Sequence, residues 1–203
     1  MVARLDAKEI SGVVLAGGQG RRMGGVDKGL VPFDGKPLAA HAVACLKPHV
    51  ASVMINANRH LDEYAALADR VVEDHQAGYH GPLMGIYSGL VASSTPWVVV
   101  VPCDSPALPA DLVPRLVAGW RDGLDIVVAH DGERLHPVVA LLSRHLHEDL
   151  AAVLEQGERK IDRWYDRHRW DRVDVSDCAA AFANLNTEEE RRRLEACRQE
   201  RDS

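Results

Sequence analysis

Between residues 17 and 29 the chain sets six glycines beside three cations, Arg21, Arg22 and Lys28. Glycine backbone reaches positive φ and lets N–H groups approach an anion closely, so this composition suits a cradle for phosphate. Asp104 stands just past "WVVVVP" (97–102), and Asn56 and Asp74 end two further β-branched runs. The chemistry such a set can do is positioning and charge neutralisation around a phosphorylated ligand. Covalent and zinc chemistry find no support. No H-E-x-x-H, C-x-x-C or G-x-S-x-G is present, and His145 and His147, two apart, do not share a helix face.

The elements that must hold these residues read as an alternation. "ISGVVLA" (10–16), "VASVMIN" (50–56), "RVVE" (70–73), "WVVVVP" (97–102), "DIVVAH" (125–130) and "HPVVALL" (136–142) have strand character. Helical patterns occupy 36–49, 60–69, 81–93, 109–123 and 143–157, the last ended by Gly157. Pro37, Pro82 and Pro109 suit first helical turns. A short extended piece from 181 leads to a last helix, marked by a capping box of Thr187 and Glu190. Strand alternating with helix predicts one α/β domain, Rossmann-like, with a mostly parallel sheet and helices on both faces. Ligands of such sheets bind beyond the carboxyl ends of the strands. The glycine loop, Asn56, Asp74 and Asp104 all fall there.

Composition narrows the field. A 203-residue chain supports one substantial core, and 46% hydrophobic with 27% charged residues is ordinary for a globular protein. The net charge of -6 leaves no global basic field for nucleic acid, so phosphate binding has to be local. The cysteines Cys45, Cys103, Cys178 and Cys197 are scattered, and neither a signal peptide nor a membrane-spanning stretch is evident. A cytoplasmic protein with no membrane partner is expected.

Two common nucleotide motifs fail on spacing. Gly18-Gln19-Gly20 is followed by Arg21, Arg22 and Met23 where a dinucleotide fingerprint needs a small residue, and Lys28 is followed by Gly29, unlike a P-loop. The stretch "LAGGQGRRMGGVDKGLVPFDGKPL" (15–38) instead resembles the signature of nucleotidyltransferases, and within them the molybdenum cofactor guanylyltransferase family. "NANRH", "VVED", "GPLMGI", "PCDSP", "HDGERLHPVVAL" and "NLNTEEE" extend the likeness over about residues 10–195.

The resemblance implies transfer of GMP from GTP to the terminal phosphate of molybdenum-molybdopterin, with release of pyrophosphate. It places Leu15, Ala16, Gly17, Gly18, Arg22, Lys28, Asn56, Asp74, Gly81, Gly85 and Asp104 on the nucleotide. Arg22, Lys28 and Asp104 are the catalytic group, with Mg²⁺ (or Mn²⁺ as substitute) on Asp104. The nucleotide part is expected over about 10–107, the acceptor part over about 108–195, and a frayed end over 196–203. Arg134, His136, Asn184 and Asn186 are candidates for the acceptor side, while a hairpin turn at Asp131-Gly132 accounts for much of the 130–137 segment without a ligand. Cofactor-insertion proteins and apo-molybdoenzymes are the implied onward partners. A cytidylyltransferase or sugar-phosphate nucleotidyltransferase on the same fold, or a non-catalytic GTP-binding protein, remain the alternatives. A nicotinamide oxidoreductase would need the missing third glycine.

Overall fold

The apolar runs form strands whose alternate residues feed two separate cores. In the computed structural model, which describes residues 5–17, 27–76, 81–185 and 190, the first strand is β1 (Ile10–Leu15). A small hairpin of β2 (Pro32–Phe33) and β3 (Lys36–Pro37) precedes α1 (Leu38–Leu46). Then come β4 (Ser52–Asn56), α2 (Leu61–Ala65), β5 (Arg70–Val72), α3 (Pro82–Ala92), β6 (Trp97–Pro102) and α4 (Leu112–Gly119). The rest is β7 (Ile126–His130), β8 (Leu135–Ser143), α5 (His147–Glu155), α6 (Ile161–Tyr165) and β9 (Trp170–Asp174), followed by a 3-10 stretch, Ser176–Phe182.

Seven strands make one sheet in the order β5-β4-β1-β6-β8-β7-β9. Val13, Val98, Val100, Ile126 and Val128 face a core built with α3, α5 and α6. Their neighbours Val14, Val99, Val101 and Val127 face the other core, with α1, α4 and Tyr64 of α2. Burial on both faces explains why these strands read as continuous valine and isoleucine rather than as polar alternation.

The sheet is mostly parallel, as the sequence predicts, with one reversal. β8 runs antiparallel to both β6 and β7, and β9 rejoins β7 in parallel. The turn at Asp131-Gly132 makes β7 and β8 a hairpin, closed by the Asp131 N–H donating to the Arg134 carbonyl at 3.1 Å. Several expected boundaries move. The 36–49 helix starts at Leu38 because Lys36 and Pro37 pair with Pro32 and Phe33. The 109–123 helix starts at Leu112, after a turn in which the Leu112 N–H donates to the Pro109 carbonyl. The 60–69 pattern yields only the five residues of α2. α6 and β9, which the sequence reading missed, have five residues each: the i, i+3, i+4 spacing of Ile161, Trp164 and Tyr165 spans barely one turn, and Asp171, Arg172 and Asp174 interrupt β9, so neither gives a sustained pattern. The expected last helix with its Thr187 cap, apart from Glu190, and the 196–203 end lie outside the described residues.

Candidate active site

β1, β4 and β6 end level. Leu15 is paired in register with Asn56 on one side and Pro102 on the other, and Asn56 with Val72 of β5. Crossing hydrogen bonds lock the row: the Ala16 N–H donates to the Asn56 carbonyl at 2.9 Å and the Cys103 N–H to the Leu15 carbonyl at 3.1 Å. Asp74 and Asp104 each follow this row by two residues, so parallel pairing alone sets both carboxylates on the same rim.

A cavity of about 230 Å³ opens there. Leu15, Ala16, Gly17, Lys28, Asn56, Asp74, Gly81, Gly85 and Asp104 all line it. Gly18 and Arg22 lie outside the described residues. Pro82, Pro102, Cys103 and Val138 complete the lining without having been singled out for it. Val138 comes from β8, so the reversed strand closes one side of a cavity whose other walls are the parallel half of the sheet.

Asn56 is buried (2% exposed), and its amide orientation is fixed. Its Nδ2 donates to the Val72 carbonyl at 3.1 Å and to Asp74 Oδ1 at 3.0 Å. Asn58, which went unnoticed in "NANRH", holds the other side of the same carboxylate. Its Nδ2 donates to Asp74 Oδ2 at 2.8 Å and its Oδ1 accepts from the Asp74 N–H at 2.8 Å. The period of two between Asn56 and Asn58 was the available signal. Two glycines give this group its room. A Cβ at Gly17 would stand 3.1 Å from Asn56 Oδ1 and 3.2 Å from Asn58 Nδ2, and one at Gly85 would overlap Asn56 Oδ1. Gly81 heads α3 with φ of 72°, which an L side chain rarely adopts.

On the opposite wall, Lys28 Nζ donates to Asp104 Oδ2 at 2.5 Å. Asp104, which has no cation near it in sequence, therefore finds its first partner 76 positions away. Its other oxygen, Oδ1, is buried with no hydrogen-bond partner among the described residues. A carboxylate oxygen cut off from water and unpaired is costly unless a cation reaches it, and a hard oxygen donor suits a divalent ion such as magnesium. Asp104 fits that role. Cys103 beside it does not supply a nucleophile: burial, then the neighbouring Asp104 charge, push its thiol up to about 12. No group of three or more His, Cys, Asp or Glu side chains able to hold a metal exists among the described residues.

A second cleft of about 190 Å³ shares Pro102 and Val138 with the first and is bordered by Ser105, Arg134, His136, Phe182 and Asn184. His136 is held by Asp131 Oδ2 at 2.7 Å and lies over the Phe182 ring, with centroids 4.8 Å apart. The Arg134 and Glu133 backbone N–H groups, then His136, hold the Asp131 carboxyl well below the usual range. Ser105 Oγ donates to Asn184 Oδ1 at 2.9 Å, and the Leu185 N–H donates to the Asp104 carbonyl at 2.9 Å. The late segment is thus tied to the Asp104 loop. Asn186 lies outside the described residues.

Comparison with known proteins defines what kind of enzyme this rim belongs to. Residues 12–173 match the family described as the MobA-like NTP transferase domain, so the chain is a nucleotidyltransferase. A solved structure of molybdopterin-guanine dinucleotide biosynthesis protein A from Archaeoglobus fulgidus shares the fold, with a TM-score of 0.77 at 22% identity over 94% of this chain and 99% of that one. The molybdenum cofactor guanylyltransferase of Shewanella sp. (strain MR-4) is 46% identical over 93% of this chain and 96% of its own length. That of Shewanella sediminis (strain HAW-EB3) is 44% identical over 92% and 95%. The chain belongs to the molybdenum cofactor guanylyltransferase family.

Proposed function

We propose that the cavity at the strand ends holds GTP and that Lys28 and Asp104 serve the chemical step within it. As a member of its family the chain transfers GMP to the molybdenum cofactor, from GTP to molybdopterin. The observation that carries the site reading is the convergence on one cavity of Asp104, with its orphaned buried oxygen, and Lys28. Bound at Asp104, Mg²⁺ would neutralise triphosphate charge. Lys28 is held by the same carboxylate, so its ammonium stands where negative charge builds on the leaving pyrophosphate. Gly17 and Gly85 leave backbone bare for the nucleotide, and Gly18 and Arg22 extend the phosphate cradle in this reading. Leu15, Ala16 and Gly81 shape the nucleotide's bed. The carboxylate of Asp74, fixed by two asparagines, reads guanine by accepting from its N1–H and N2–H₂, a pair that cytosine lacks.

The second cleft receives the acceptor. Pro102 and Val138, shared with the first cavity, support placing an acceptor phosphate beside the α-phosphorus, with Arg134 and His136 near the pterin side. The terminal phosphate, with a second pKa of about 6, is largely dianionic at neutral pH and needs no general base. One of its oxygens bonds to the α-phosphorus as the α–β bridging bond breaks, and the electron pair departs with pyrophosphate. The same reading assigns the nucleotide to about residues 10–107 and the acceptor to 108–195. It sets the reaction in the cytoplasm, with insertion proteins and apo-molybdoenzymes receiving the product. The free thiols of Cys45, Cys103 and Cys178 support that compartment.

The test is pyrophosphate release with molybdopterin and each of GTP, CTP, UTP and ATP, for the parent chain and for Asp104→Ala and Asp74→Asn. GTP alone should support release. Asp104→Ala should lose at least about a hundredfold in kcat while its melting curve stays cooperative. Asp74→Asn should erode the preference for GTP over ATP. An Asp104→Ala variant as active as the parent would remove the metal assignment.

A further inference from the structure

Lys28 must stand at the cavity wall, and the chain around it rests on a support outside that cavity. Asp27 heads the 3-10 turn Lys28–Leu30, its Oδ1 accepting from the Gly29 N–H at 3.3 Å. The same oxygen accepts a hydrogen bond from the hydroxyl of Tyr64 in α2. Tyr64 is 0% exposed and Asp27 8%. Burial and then the adjacent carboxylate push the phenol well above its ordinary range, so it remains a donor. Gly29 lets the turn come this close. A Cβ there would overlap the Tyr64 hydroxyl oxygen and lie 3.2 Å from two ring carbons.

We infer that Tyr64 is a positioning residue for Lys28, acting through the Asp27 carboxylate; the inference rests on the role proposed above for Lys28. A buried carboxylate next to a lysine competes for its ammonium. The Tyr64 hydroxyl occupies Asp27 and fixes it as the cap of the turn, which leaves Lys28 Nζ committed to Asp104 Oδ2. Without that hydroxyl, Asp27 lacks a charge-assisted hydrogen bond, and the lysine has a second carboxylate to choose, one outside the cavity lining. Tyr64 touches no reacting group, so its whole effect must pass through Lys28.

A double-mutant cycle tests this directly. Tyr64→Phe should lower kcat/KM for GTP by about tenfold in the parent chain, yet leave it within about twofold on a Lys28→Ala background. Adding Asp27→Asn to Tyr64→Phe removes the competing charge and should restore kcat/KM to within about threefold of the parent. If Tyr64→Phe loses its cooperative melt, the cycle is run with Asp27→Ala, which removes the cap of the turn that carries Lys28 and should cost activity only where Lys28 is present, whereas Asp27→Asn, which keeps the cap, should not. A folded Tyr64→Phe variant within twofold of the parent, or an equal loss with and without Lys28, overturns the inference. A Lys28→Ala variant as active as the parent overturns the role of Lys28 itself, and this inference with it.

Discussion

Asp104 and Asp74 are both strand-end carboxylates, but their neighbours give them different work. Asp74 is held by amides that donate to each of its oxygens, so it is rigid, and no salt bridge reaches it among the described residues. Asp104 has one oxygen on Lys28 and the other orphaned. Their positions were legible in the sequence because a strand end is a local property. Their partners were not, because Asn58 lies beyond the end of β4 and Lys28 is 76 positions from Asp104. Of the two glycines that crowd the Asn56 amide, Gly85 stands closer, since a Cβ there would overlap Oδ1. In Gly85→Ala the added methyl must push the Asn56 amide aside and loosen Asp74 with it. GTP affinity, measured by calorimetry, should fall between about tenfold and a hundredfold, with less effect on kcat than on binding.

α6, which the sequence reading missed, buries Ile161, Trp164 and Tyr165 in the core and is fastened by polar contacts as well. α6 joins α5 through Asp149, which accepts from Trp164 Nε1 at 3.1 Å, Arg167 Nη2 at 2.5 Å and Nε at 3.2 Å, and pairs with His168 at 3.1 Å. Hydrogen bonding from Arg167 leads the effects that lower the Asp149 carboxyl from its ordinary value. A carboxyl lowered in the folded state stabilises the fold above the unfolded value and loses that contribution as pH falls through the ordinary carboxylate range toward the lowered one. Melting temperature should therefore drop as pH falls below about 4, and Asp149→Asn should flatten that acid limb. Asp149→Ala leaves the indole N–H of fully buried Trp164 unpaired and should cost about 1–3 kcal/mol by urea unfolding at neutral pH. The strong strands, by contrast, could be read from their valines, because burial on both faces favours β-branched apolar residues.

At the scale of the whole molecule, the sheet was legible as mostly parallel, and its one reversal was signalled by the Asp131-Gly132 turn rather than by the run "HPVVALL", which does not encode direction. A ligand that seats against several strand ends at once should stabilise all of them together. Saturating GTP with Mg²⁺, at about a hundred times its Kd, should add about 2.7 kcal/mol and raise the melting temperature by about 5–10 °C, whereas CTP should not. The reversal of β8 has its own consequence. It brings the residues entering a strand, rather than those leaving one, to the rim, so Val138 and His136 follow directly from the hairpin tip at Asp131 to Arg134. Such a tip can grow, shrink or change its side chains while β1, β4 and β6 stay in step. Divergence in what is modified can thus proceed by editing one exposed bend, under selection separate from that on the machinery that activates the nucleotide.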